Sequence, residues 1–175
     1  MKDFMIGAFS NNVAAGRAVE RLHNVGYQPR DISVLMNHET RSRYFGEEVG
    51  GKAAEGAGVG AGIGGVLGAI IAGLTATGTI VAVAGTGGAA LPLVAGPIAA
   101  ALAGVGAGGI SGGIIGALVG AGIPKYHAEQ FQNDLDNGKI LIGVDLNGGN
   151  EEGVREILLS EGAEHVRGEL ARSGM

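Results

Sequence analysis

The sequence predicts an α+β fold: a split ferredoxin-like domain, a four-stranded antiparallel sheet with its helices on one face, interrupted by a long Gly-rich hydrophobic helical hairpin. Three observations lead there. Both ends of the chain read as strand–helix–strand, and the two units resemble each other. No Asp, Glu, Lys, Arg or His occurs in the 69 residues from Gly56 to Pro124. Within that stretch, glycines recur at every fourth position in two runs. The chain divides accordingly into residues 1–55, the first half of the α/β domain with a linker; 56–124, the charge-free hairpin; and 125–175, the second half.

Lys2–Phe9 alternates and is β-prone, with Phe4, Ile6 and Ala8 on one face. Ser10 or Asn11 can cap a helix whose Ala15, Ala18, Val19 and Leu22 follow a helical spacing, and Gly26 ends it as a left-handed residue beyond the last turn. Asp31–Met36 reads as a second strand, with Ile32, Val34 and Met36 on one face. After the insert, Pro124 opens a helix carrying Ala128, Phe131 and Leu135, and Gly138 stops it. Lys139–Leu146 is the strongest strand in the chain. A last helix carries Val154, Ile157 and Leu158, stops at Gly162 and leads into a short strand, Glu164–Arg167. The pairs Ala18/Leu22 and Val154/Leu158 each run to a Gly four residues later, which is the internal repeat. Two-stranded pieces are rarely stable alone, so the halves are expected to fold as one unit.

The insert holds 22 of the 36 glycines. Gly56, Gly60, Gly64 and Gly68 form one GxxxG series, and Gly104, Gly108, Gly112, Gly116 and Gly120 a second. On a helix each series makes a smooth stripe along which another backbone can approach closely. Opposite faces carry Val66, Leu67, Ile70 and Ile71 in one arm, and Ile110, Ile114, Ile115 and Leu118 in the other. Gly78, Gly85, Gly87, Gly88, Pro92 and Pro97 between the arms are turn chemistry. Two packed helices, about 56–77 and 98–122, follow. In water each helical Gly opposes the helix by about 1 kcal/mol relative to Ala, which a bilayer or tight helix packing would offset. Stretches of at least ~18 apolar residues fit within the insert. Arg41, Arg43, Tyr44, Phe45 and Lys52 before the insert, with Lys125 and Tyr126 after it, would form an aromatic and basic girdle at one membrane interface, and ordinary linker residues of a soluble oligomer are the other reading.

Composition narrows the function further. The net charge of −5 argues against a nucleic-acid partner. With no Cys there is no disulfide framework, thiolate metal site or Cys nucleophile. Gly104, Gly106 and Gly109 match GxGxxG but lack the surrounding βαβ unit, so they read as helix packing rather than cofactor binding. Gly51-Lys52 is followed by Ala53 and does not make a phosphate loop. His23, His38, His127 and His165 are scattered without metal-ligand spacing. Glu47-Glu48 and Glu151-Glu152 fit solubility and helix-dipole complementarity better than acid–base catalysis. No serine sits in a nucleophile-elbow context. The expectation is no catalytic residue, no metal and no cofactor.

One family resemblance covers nearly the whole chain. The run KDFMIGAFSNNVAAGRAVERLHNVGY, then DISVLM, a Gly/Ala-rich hairpin, and AGIPKYHAEQFQNDLDNGKILIGVD is similar to bacterial general-stress and low-temperature-induced proteins, the general stress protein 17M-like family. Its most specific piece is Gly122-Ile123-Pro124, then a helix with Tyr126 and Gly138, then the strand. The resemblance implies a stress-linked role, often with a membrane label, and no established enzymatic activity. The expected function is therefore a non-enzymatic structural protein that self-assembles through its glycine stripes. It would be embedded by membrane lipid in the inner, cytoplasmic membrane with both termini cytoplasmic. The alternatives are a cytoplasmic ring, filament or shell that buries its hairpins against one another, and a membrane-tethered ferredoxin-like sensor. Met1-Lys-Asp entering directly into a strand predicts no cleavable leader.

Overall fold

The computed structural model describes residues 4–45, 81–82, 93–95, 113–120, 123–147 and 149–168. In chain order these form β1 (Phe4–Phe9), α1 (Asn12–Asn24), a 3-10 turn (Pro29–Asp31), β2 (Ile32–Met36), α2 (His38–Phe45), β3 (Val81–Ala82) and β4 (Leu93–Ala95). There follow α3 (Gly113–Gly120), α4 (Lys125–Asp136), β5 (Ile140–Asp145), α5 (Glu151–Ser160) and β6 (Val166–Gly168). The strands make one antiparallel sheet in the order β3-β4-β2-β5-β1-β6. Its four strands from the chain ends, β2-β5-β1-β6, are compatible with a ferredoxin-like arrangement. Register is set by β5, which pairs Phe4↔Asp145 through Phe9↔Ile140 on one side and Ile32↔Val144 through Leu35↔Leu141 on the other.

Local chemistry explains the boundaries. Asn11, not Ser10, caps α1: its side chain accepts from the Ala14 N–H at 2.8 Å. Asn150 caps α5 in the same way through the Gly153 N–H. Three helices end alike, on Gly26, Gly138 and Gly162 with φ of +108°, +78° and +94°. The residue after each glycine donates its N–H back to the last turn, Tyr27 to Leu22, Lys139 to Asp134 and Ala163 to Leu158. A left-handed residue is needed there, and glycine adopts it without a Cβ clash.

The sheet is covered on both faces, and this corrects the expectation of helices on one face. One core gathers Met5 and Phe9 of β1, Ile32, Val34 and Met36 of β2 and Ile140, Ile142 and Val144 of β5 under α1 and α5. The other gathers the alternate residues, Phe4, Ile6, Ala8, Leu35 and Leu141, under α4 and α3. Strand residues point to opposite faces in turn, so a strand buried along its whole length needs a layer on each side. Every residue of β1, β2 and β5 is buried. The unbroken apolar run of residues 140–144 within Lys139–Leu146 has this cause.

Two further differences concern the insert and the residues before it. Residues 81–82 and 93–95, within the expected turn, are strands, and β4 pairs with β2 from Val34↔Ala95 to Met36↔Leu93. Residues 38–45, expected as linker, are helical. Of the second expected arm, 113–120 is helix; the first arm, 56–77, lies outside the described residues.

Candidate functional site: the insert-bearing face

The end of the insert joins the domain through α3 and α4. The helical period places Ile114 and Leu118 on one side of α3, and both are buried against the sheet with Ile123, Phe131 and Leu135. Gly116 falls on the opposite side of α3, away from that core. The chain turns at Ile123, whose N–H donates to the Leu118 carbonyl at 2.9 Å, and Pro124 then caps α4. Val119 and Tyr126 stand exposed at this corner, Tyr126 at 73%.

Buried polar bonds pin the segment entering the insert to the segment leaving it. Asn37 donates from Nδ2 to the Leu135 carbonyl at 2.8 Å, and Thr40 Oγ1 donates to the Gly138 carbonyl at 2.9 Å. Asn37 Oδ1 meanwhile accepts from the Thr40 N–H at 2.7 Å, which starts α2. One asparagine thus caps the N-terminus of α2 and satisfies a C-terminal carbonyl of α4.

At the end of the sheet where β1 leaves and β5 enters, five polar side chains form one network. Lys139 Nζ donates to Asp134 Oδ1 at 2.9 Å and to Glu164 Oε2 at 2.6 Å. His165 Nδ1 bonds Asp134 Oδ2 at 2.9 Å, and Ser10 Oγ donates to Glu164 Oε1. Burial lowers the Lys139 ammonium's pKa, but the hydrogen bonds to Glu164 and Asp134 outweigh it and raise the pKa overall. The Lys139 hydrogen bond, then the one from Ser10, holds Glu164 below the ordinary carboxylate range. A lysine held cationic is neither a nucleophile nor a general base. The arrangement instead ties α4 to β5 and to the turn before β6. Among the described residues no three His, Asp or Glu side chains are grouped to hold a metal ion.

Among the described residues, the girdle candidates lie on two helices, Arg41, Arg43, Tyr44 and Phe45 on α2 and Lys125 and Tyr126 on α4. Tyr44 packs against the core under α1 and α5, on the other face of the sheet from α4, which carries Lys125 and Tyr126. Arg43 pairs with Glu39 at 2.8 Å and Lys125 with Glu129 at 3.7 Å, each along its own helix. Arg41 is half-buried, with Nε lacking a hydrogen-bond partner among the described residues, as do His127 Nδ1 and Gln130 Oε1. Lys52 and Gly56, Gly60, Gly64, Gly68, Gly104, Gly108 and Gly112 lie outside the described residues; Gly116 and Gly120 belong to α3. Sequence reasoning missed the roles of Asn37 and Thr40. The Asn at position 37, three residues before Thr40, was the available cap signal. It also missed the Ser10–Glu164–Lys139–Asp134–His165 network, whose members are far apart in sequence.

Among the described residues, no helix is long and apolar enough to cross a membrane. No family model matches the chain, and neither a curated protein nor a solved structure does.

Proposed function

We propose that this chain is a non-enzymatic structural protein that self-assembles through its glycine-striped arms, with a split ferredoxin-like domain as the anchor of a helical hairpin. The observation that carries this reading is the placement of α3. Its Ile114 and Leu118 side is spent on the sheet, while the helical period turns Gly116 outward, where a second helix can approach closely. The stress-linked part of the proposal rests on the sequence resemblance alone.

The pairing of β4 with β2 favours the soluble setting of this assembly over the membrane-embedded one. A hairpin crossing a bilayer and returning would carry residues 78–97 across a hydrocarbon core about 30 Å thick, away from a sheet at its base. Arms packed against protein leave Leu93–Ala95 free to reach Met36. Changing Gly108, Gly112 and Gly116 together to Leu tests the mechanism, read by cross-linking and size analysis beside carbonate extraction of cell membranes. The expected result is lost assembly with aggregation and release of the wild-type chain by carbonate. Carbonate-resistant membrane retention of the wild-type chain supports the bilayer setting instead. Normal assembly of the triple variant defeats the glycine-stripe reading in either setting.

A further inference from the structure

We propose that the closing turn of α4, residues 134–139, couples two docking events: that of α2 onto α4, and that of β6 onto the sheet. Four residues of this turn hold neighbours, and they do so in two nested pairs. The inner pair, Leu135 and Gly138, offers its carbonyls to the segment around α2: Asn37 Nδ2 donates to Leu135 at 2.8 Å and Thr40 Oγ1 to Gly138 at 2.9 Å. The outer pair, Asp134 and Lys139, offers its side chains to the approach to β6. Asp134 Oδ2 bonds His165 Nδ1 at 2.9 Å, and Lys139 Nζ donates to Glu164 Oε2 at 2.6 Å. One short stretch of backbone therefore serves both elements. Among the described residues β6 is an edge strand of the sheet, and α2 is the element that precedes the charge-free insert in the chain.

All four groups stand in place only while the turn is closed. The Lys139 N–H donates to the Asp134 carbonyl and the Gly138 N–H to the Leu135 carbonyl, each at 2.9 Å, with Gly138 at a φ of +78°. This closure brings the outer pair together: Asp134 Oδ1 accepts from Lys139 Nζ at 2.9 Å, with the two side chains only 7% and 18% exposed. It also commits both lone pairs of the Leu135 carbonyl, one to Gly138 and one to Asn37. Opening the turn swings both inner carbonyls away from Asn37 and Thr40 and parts Asp134 from Lys139, so it weakens both dockings at once. Conversely, each docked element holds the turn closed for the other, and such an effect is reciprocal. Among the described residues no hydrogen bond or ion pair joins α2 directly to residues 164–168, so the coupling runs through the turn.

Native-state hydrogen exchange of the full chain tests this, with one reporter amide at each end. The Arg41 N–H, which donates to the Asn37 carbonyl at 3.0 Å, reports α2; the Glu164 N–H, which donates to the Ala8 carbonyl at 2.8 Å, reports the approach to β6. Glu164→Ala removes a partner of Lys139 and should speed exchange at Arg41 roughly three- to tenfold, the size usual for residues that share one network. Thr40→Val keeps the side-chain shape, loses the hydroxyl, and should speed exchange at Glu164 to a similar extent. Arg21→Ala is the control: it cuts the bonds to Ser160 and Glu161 without touching the turn, and should leave Arg41 exchange unchanged. The double variant should lose less stability, by urea midpoint, than the two single variants together. Glu164 is 46% exposed, so its variant keeps the core and carries the test by itself should Thr40→Val not fold. The coupling is overturned if Arg41 exchange ignores Glu164→Ala or responds equally to Arg21→Ala. It is overturned equally if folded Thr40→Val leaves Glu164 exchange unmoved, or if the two losses of stability simply add.

Discussion

The two faces of the sheet are built from different parts of the chain. Under α1 and α5 lies a core whose buried residues come from the repeated strand–helix–strand units, with helix ends that repeat each other's hydrogen bonds, from the Tyr27 N–H to the Leu22 carbonyl and from the Ala163 N–H to the Leu158 carbonyl. Under α4 and α3 lies a core to which the repeat supplies only strand residues; its covering layer is Ala128, Phe131 and Leu135 of α4 with Ile114, Leu118 and Ile123 from the insert. The described end of the insert is therefore not an appendage on a finished domain. Ile114, Leu118 and Ile123 are part of what keeps β1, β2 and β5 dry on their second side.

The largest expected effect breaks this comparison outright. A chain joining residue 45 directly to 123 loses α3 and β4 and should expose Phe4, Ile6 and Leu35, bind a hydrophobic dye and aggregate. A chain joining 45 to 113 retains Ile114 and Leu118, each worth about 1.5–3 kcal/mol of burial, and should stay soluble. Equal behaviour of the two chains means the second face closes without the insert.

Single substitutions then weigh one face against the other. Phe131→Ala in α4 should cost about 3–5 kcal/mol and Leu22→Ala in α1 about 2–5, both read from urea unfolding. If the faces form one cooperative unit, each variant shifts a single transition. If Phe131→Ala instead splits the transition, the α4 layer folds separately. Asn37→Ala comes next, at about 1–3 kcal/mol, because it uncaps α2 and leaves the buried Leu135 carbonyl without its donor.

The smallest effect concerns the polar network. Glu164 has a folded pKa below its unfolded one, so its contribution is present above the unfolded value and is lost as pH falls through the lowered folded value. Lys139 has a raised folded pKa, so its contribution is present below the unfolded value and is lost as pH rises through the folded one. Lys139→Met should therefore flatten the acid limb of the stability profile, below the ordinary carboxylate pKa, measured by urea midpoints. An unchanged limb would show that other carboxylates carry it. Glu161 is one such candidate, its carboxyl held low first by the hydrogen bond from Arg21.

Much of the fold was legible because it was local. Strand alternation at Ile32, Val34 and Met36, the capping asparagine at 11 and the glycines at 26, 138 and 162 act within a few residues of themselves. Phe4, Ile6 and Ala8 were correctly grouped on one face, but alternation alone does not say which layer covers that face. The candidate site was less legible. Asn37 meets Leu135, and Ser10 meets Glu164, across most of the chain.

By itself, then, the sequence determined where the strands and helices of the two repeated units lie, which of their residues share a face, and where charge is excluded, because each depends on the period of one element and on its caps. Tertiary structure alone decided that α4 would take the second face, that Leu93–Ala95 would return to the edge of β2, and that one lysine would join two carboxylates. Those outcomes depend on which apolar surfaces remain uncovered once the repeat has packed. An unpaired strand edge and a bare apolar face are satisfied by whatever segment can reach them, and that is a property of the assembled chain rather than of any stretch of it.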